Sequence, residues 1–228
     1  MTAGSRERIL EAVRNGLVRA VLPDSSESAP RWSPPTRRET VEALVETFSA
    51  ALSALSGHVH HAATTPEIAE TVVSIAAGHG ATSYLSWDEE HLGCPGLIAA
   101  LGARGLTRVS YDLPADPEHR LRAAQDLAGI TLGLTGALAA IADSASMVLA
   151  SGPGRGRLVS LLPPVHVAIL QQRVIRPTLA ALIADEPRLL EAGSNVVLIS
   201  GPSRTADIEM TLSHGVHGPK HVHVILTP

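Results

Sequence analysis

The sequence predicts an α/β fold: a mostly parallel sheet flanked by helices, with a strand-rich extension and an N-terminal helical arm. Three observations lead there. From Thr36 onward, short apolar runs rich in β-branched residues alternate with longer segments of helical period, the pattern of successive βα units. Between Ile130 and Leu170 the rhythm changes to closely spaced apolar runs parted by glycine or proline, with little room for helices. Ahead of both, residues 4–22 carry Ile9, Leu10, Val13, Leu17 and Val21 near the 3.6-residue period, with Arg6, Arg8, Glu11 and Arg14 elsewhere.

The arm is separated from the body by a proline- and serine-rich connection ending at Pro34-Pro35, so residues 1–35 read as helix plus linker and 36–228 as the domain. Trp32 either pins that linker or stands partly exposed. An unpartnered apolar stripe on 4–22 must dock on something, which makes it an assembly arm and allows a homo-oligomer. In the domain the pattern predicts helices over 37–56, 66–78, 95–104 and 117–128, and strands at 57–62, 81–86 and 107–111. Pro66 after Thr64-Thr65 suits a helix start, and Gly78 and Gly80 suit its stop. The extension contributes the runs Ala139–Ala142, Met147–Ala150, Leu158–Leu162 and Val165–Leu170 as strands. A helix at 177–185, a strand at 195–200, a helix at 205–213 and a last strand at 221–226 restore the alternation.

With 228 residues, 45% of them apolar, the chain can bury one full core. Its longest apolar runs fall far short of the roughly 20 residues that cross a bilayer. A charged start, Ser5-Arg-Glu-Arg8, followed by an amphipathic segment is not a secretory signal, so the expected location is cytoplasmic, with no membrane span. Net charge is −4 with mixed signs, and one Phe, two Trp and two Tyr offer few stacking platforms, which argues against nucleic acid. Cys94 is the sole cysteine, so no internal disulfide and no cluster held by several thiolates can form within the chain. Lys220 is the sole lysine, and its Gly-Pro-Lys turn suits neither a Walker A loop nor a pyridoxal Schiff base. No G-x-G-x-x-G follows a strand and no G-x-S-x-G elbow occurs.

Asn195–Ser200 followed by Gly201-Pro-Ser-Arg-Thr205 and Ala206–Leu212 reads as strand, turn, helix. In open α/β sheets such a turn lies where ligands bind, and the free N–H groups of a helix start favour anions. Gly201, Ser203, Arg204, Thr205 and Asp207 are therefore candidate ligand-binding residues for a small anion. The competing reading has Ser203 or Thr205 capping the helix while Asp207 and Glu209 complement its dipole. Ser151-Gly-Pro-Gly-Arg-Gly-Arg157 is either an anion-wrapping flap or a plain hairpin tip. The histidine groups His58/His60/His61 and His214/His217/His221/His223 do not have spacings that converge, so no metal site is expected. His217 is assigned to the crevice beside Ser203, and His166 to a hydrogen-bonded structural role.

The string Ile199-Ser-Gly-Pro-Ser-Arg-Thr-Ala-Asp-Ile-Glu209, continued by Gly215-Val-His-Gly-Pro219, resembles the C-terminal signature of the lactate-utilisation protein C (LUD-domain) family. Ser160-Leu-Leu-Pro-Pro-Val-His166 and Ser5-Arg-Glu-Arg-Ile-Leu10 extend the likeness over most of the chain, weakly in 23–128. The resemblance implies a Rossmann-like sheet of the sugar-phosphate isomerase and CoA-transferase group. It also implies an accessory subunit of an iron-sulfur L-lactate oxidation system, without a cofactor of its own. Its iron-sulfur clusters would lie on partners, an iron-sulfur subunit and a cysteine-rich subunit. Where the family often reads Ala-Glu-Thr-Gly-Thr, this chain has Ala142-Asp-Ser-Ala-Ser146. Asp143 is the candidate catalytic carboxylate there, with Ser144 and Ser146 as ligand-binding hydroxyls; Glu209 and His217 are further catalytic candidates. The acid is one methylene short, and Ala145 takes a positive φ less cheaply than glycine. The alternative implied by the fold group is a stand-alone isomerase or transferase acting on a phosphorylated or CoA-linked small molecule.

Overall fold

The computed structural model describes residues 3–19, 39–111, 114, 116–206, 212–214 and 218–228. The chain forms two units, Met1–Thr36 and Arg37–Pro228. In the first, helix α1 spans Ala3–Arg19, with Ile9, Val13 and Leu17 55, 52 and 62% exposed. Positions 20–22, the linker prolines and Trp32 lie outside the described residues.

The second unit follows the predicted alternation. Helix α2 (Val41–Ala54) begins where Thr40 accepts a hydrogen bond from the Ala43 N–H, and it buries Leu44, Phe48 and Leu52 at the i, i+4, i+8 spacing of one helix face. After β1 (His58–His61), helix α3 (Thr65–Gly78) opens on a full capping box. Thr64 accepts from the Glu67 N–H while the Glu67 carboxylate accepts from the Thr64 N–H. Then come β2 (Ser83–Ser86), α4 (Leu97–Gly102), β3 (Thr107–Val109), α5 (Pro117–Leu127) and β4 (Leu132–Gly136). The middle supplies β5 (Ala139–Ile141), β6 (Ser146–Ser151), the single turn α6 (Leu158–Leu161), β7 (Val165–Gln171), β8 (Ile175–Arg176), α7 (Leu179–Asp185) and β9 (Asn195–Ile199). The end adds β10 (Arg204–Ala206), β11 (Leu212–His214) and β12 (His221–Thr227).

Six strands form a parallel sheet in the order β1-β12-β7-β4-β2-β3. Its inner strands β4 and β7 are buried almost throughout, which explains why Val165–Leu170 reads as a nearly continuous apolar run rather than an alternation. Of the predicted extension, Ala139–Ala142 and Met147–Ala150 supply β5 and β6 of a second sheet, β8-β5-β6-β9, in which β6 pairs antiparallel with both β5 and β9; Val165–Leu170 instead lies inside the parallel sheet as β7, and the strand expected at 195–200 joins the second sheet as β9. Close approach sets α6 against β4: a Cβ on Gly133 would run into the Val159 carbonyl. Among the described residues no helix is long and apolar enough to cross a membrane.

Two expectations fail. At both ends of the helix predicted over 205–213 the chain is strand, pairing antiparallel with Arg204 opposite His214, Thr205 opposite Ser213 and Ala206 opposite Leu212. Both flanks pair as strands, and residues 207–211 between them lie outside the described residues. The run Leu158–Leu162 is not a strand but α6, because Pro163 and Pro164 follow at once and would remove ladder donors.

Candidate functional site

The signature segments meet through backbone hydrogen bonds. The Ser203 N–H donates to the Pro219 carbonyl (2.9 Å), joining the two halves of the C-terminal string; the Lys220 and His221 N–H groups both donate to the Pro164 carbonyl (2.8 and 3.0 Å), bringing in the Ser160–His166 segment. At the turn itself Gly201 takes φ +97°, a left-handed conformation that favours glycine. The side chain of Arg204 donates to the Leu55 carbonyl and to Ser56 Oγ (2.9 Å), so it caps the exposed end of α2. With β10 in place of a helix there is no helix N-terminus at 203–205, and the argument for anion binding by such a start does not apply. Thr205 contributes backbone pairing to β10. Asp207, Glu209 and His217 lie outside the described residues.

The pairing of β6 with β9, Met147 opposite Ile199, carries the other candidate segment to the same turn. Ser146 Oγ lies 2.6 Å from Ser200 Oγ and donates to Ser144 Oγ (2.9 Å), giving a chain of three hydroxyls beside Gly201. Asp143 is exposed in the β5–β6 turn, its N–H donating to the Pro177 carbonyl (3.2 Å). Ala145, which completes that turn, is buried and has φ +49°, so this chain does place an alanine in the left-handed region. That conformation costs an L-residue roughly 1–2 kcal/mol, against about 0.8 kcal/mol for the buried methyl. Ala145→Gly is therefore expected to raise stability by up to about 1 kcal/mol, and Ala145→Val to lower it by more than about 2 kcal/mol, both read from urea midpoints.

A second concave region lies at the carboxyl ends of β2 and β3. It measures about 480 Å³ and is lined by Asp88, Arg108, Ser110, Tyr111, Gly152, Pro153 and Gly154. It lies outside the carboxyl ends of two parallel strands, the end of an open α/β sheet at which ligands are held. The Arg108 Nη2 donates to the Ser86 and Trp87 carbonyls (3.2 and 3.3 Å) and to Asp88 Oδ1 (2.6 Å). The glycine-rich segment after β6 is a strap seated on these strand ends. Asp88 N–H donates to the Gly154 carbonyl (2.9 Å) and Trp87 Nε1 donates to the Gly156 carbonyl (3.1 Å). Side chains would not fit the strap: a Cβ on Gly154 would meet Asp88 and His91, and one on Gly156 would enter the Tyr111 ring. Of this site only the glycine run is visible as a local sequence feature. Asp88, Arg108, Ser110 and Tyr111 are single polar positions in loops and a three-residue strand.

Among the described residues, His58, His60, His79, His221 and His223 form one group of ring contacts. His223 lies between His58 and His60, ring centroids 4.6 and 5.4 Å away, with His60 Nε2 3.1 Å from its Nδ1; His79 covers His221 at 4.6 Å. Among the described residues no group of three or more His, Cys, Asp or Glu side chains is arranged to hold a metal. Burial, then the neighbouring imidazoles, pushes His223 down to about 3, and the same causes lower His60 and His221. His166 is fully buried with Nε2 2.8 Å from Thr135 Oγ, the structural placement expected of it; burial lowers it to about 4. Cys94 is a free, buried thiol.

Comparison with known proteins places the chain. Residues 45–227 match the family model of the LUD domain. The lactate utilization protein C of Geobacillus sp. (strain WCH70) is 31% identical, the likeness covering 99% of this chain and 97% of that protein. The lactate utilization protein C of Bacillus pumilus (strain SAFR-032) is 28% identical, covering 96 and 94%. In three dimensions the chain resembles a DUF162 family protein from Deinococcus radiodurans, with a TM-score of 0.60 over 84% of this chain and all of that one; at 17% identity this likeness speaks to the fold alone. With a family match across nearly the whole second unit and a relative aligned end to end, the chain belongs to the LUD-domain family.

Proposed function

We propose that this chain serves in lactate utilisation, as an accessory subunit of an iron-sulfur L-lactate oxidation system that binds a small anionic metabolite. The observation that carries the reading is the near full-length likeness to the Geobacillus lactate utilization protein C. The single buried cysteine is consistent with that division of labour: a chain with one thiol cannot ligate a multi-cysteine cluster, which in this reading lies on a partner subunit. The alternative, a stand-alone isomerase or transferase for phosphorylated or CoA-linked molecules, drew on an anion-binding helix start at Ser203, and the β10–β11 pairing takes that support away.

Deleting the gene is expected to abolish growth on L-lactate as sole carbon source while leaving growth on glucose intact, with full rescue by the wild-type gene. Affinity-tagged chain recovered from lactate-grown cells is expected to bring down iron-containing subunits, detected by metal analysis of the complex. Unimpaired growth of the deletion strain on lactate overturns the functional reading; a chain recovered without iron overturns the partnership.

A further inference from the structure

The family signature accounts for the serine turn and for Arg204, and leaves unused the cleft on the carboxyl ends of β2 and β3. Three features of that cleft describe a ligand. Every hydrogen bond that Arg108 makes among the described residues leaves through Nη2, so among those residues its Nε and Nη1 donors have no partner, while two backbone carbonyls and Asp88 hold the guanidinium in place. An arginine fixed in this way, with donors to spare on the wall of a cleft, suits a carboxylate. Asp88 spends Oδ1 on Arg108 and keeps Oδ2 beside Gly154, an acceptor next to the cationic donor. Lastly, the Arg108–Asp88 pair neutralises itself, which disfavours polyanions such as diphosphates and suits a ligand of low charge.

We propose that this cleft binds a small 2-hydroxymonocarboxylate. Its carboxylate accepts from Arg108, its hydroxyl donates to Asp88 Oδ2, and Tyr111 and the Gly152–Gly154 strap enclose the carbon chain. The choice of a hydroxy acid rests on the proposed role in lactate utilisation; the carboxylate site rests on Arg108 alone. A space of about 480 Å³ exceeds a three-carbon acid, so several waters stay with the ligand. Few ligand atoms and few desolvated contacts place the affinity on the order of millimolar.

Isothermal titration of the full chain with L-lactate, pyruvate, acetate, L-alanine and inorganic phosphate tests the proposal. L-Lactate is expected to bind, pyruvate and acetate at least about 5-fold more weakly for want of the hydroxyl donor, and phosphate not measurably. Arg108→Gln is expected to weaken lactate binding at least about 10-fold, and Arg108→Lys to keep part of it. Absence of lactate binding, or unchanged binding by Arg108→Gln, overturns the site; tighter binding of L-alanine overturns the hydroxy-acid assignment. Should Arg108→Gln fail to fold, amide shifts on lactate titration of the wild-type chain decide instead: they must centre on Ser110, Tyr111, Gly152 and Gly154, and shifts elsewhere overturn the proposal. Growth separates this inference from the functional one. If the deletion strain fails on lactate while a strain carrying Arg108→Gln grows normally, the site falls and the function stands. If the deletion strain grows normally, the function falls and titration still decides the site.

Discussion

Gly133→Ala is expected to destabilise the second unit by about 3 kcal/mol or more. The methyl group would project from β4 into the carbonyl oxygen of Val159, with the Val159 carbonyl carbon and Pro163 Cγ each 3.1 Å away. Overpacking usually costs 1–3 kcal/mol when a side chain can turn aside. Here the obstacle is the backbone of α6, held by the Leu162 N–H to Leu158 carbonyl bond and followed by two prolines, while β4 itself is locked between β2 and β7. Neither partner has an inexpensive displacement. Gly102→Ala is the matched control: it ends α4, nothing lies within 4 Å of the added methyl, and the alanine is expected to be neutral or stabilising by up to about 1 kcal/mol. Urea midpoints of both variants check the pair. A Gly133→Ala protein as stable as the wild type would show that α6 does not rest on β4 as described.

The same close approaches show what a linear sequence reveals. The βα alternation, the α3 capping box and the central apolar strands are local patterns, set by residues three to eight apart, and each appears where the spacing put it. The stretch from Arg204 to His214 was equally local but ambiguous. Its acids and small residues suit a helix start, yet Arg204–Ala206 and Leu212–His214 pair as antiparallel strands, a register that no local spacing specifies. The serine chain Ser144–Ser146–Ser200 was half visible, since two hydroxyls were marked by family resemblance; the third arrives only through the antiparallel register of β6 and β9. The cleft was almost invisible. Asp88, Tyr111 and Gly154 are drawn from three separate connections and Arg108 from β3, and no periodicity links residues that a parallel sheet gathers at one edge. The available signal was Arg108 itself, a long cation inside the short strand Thr107–Val109, together with a glycine run whose missing side chains matter only once Tyr111 and Asp88 stand against them.

Lowering the pH from 7 to 4 is expected to remove about 3 kcal/mol of stability through His166 alone. Its imidazole is fully buried, Nε2 bonded to Thr135 Oγ and Nδ1 without a hydrogen-bond partner among the described residues, so a charge there has nothing to offset its desolvation. Burial holds the group at about 4, below its ordinary 6.5. Because the folded value is the lower one, the unfolded chain takes the proton first. The contribution is therefore complete above about pH 6.5 and is lost as the pH falls from 6.5 through 4. The stack around His223 acts in the same direction, since burial comes first there and the cations that would form at His58, His60, His79 and His221, with Lys220 adjoining, repel one another. His166→Asn removes the titrating ring while keeping a polar partner for Thr135, and is expected to flatten the dependence of the urea midpoint on pH by up to about one proton. An unchanged slope in that variant would assign the acid sensitivity elsewhere. The stack makes a separate, local demand: among the described residues β1 is an edge strand paired with β12, so acid should lower the hydrogen-exchange protection factors of Val59 and His60 before that of Val167 in the sheet centre.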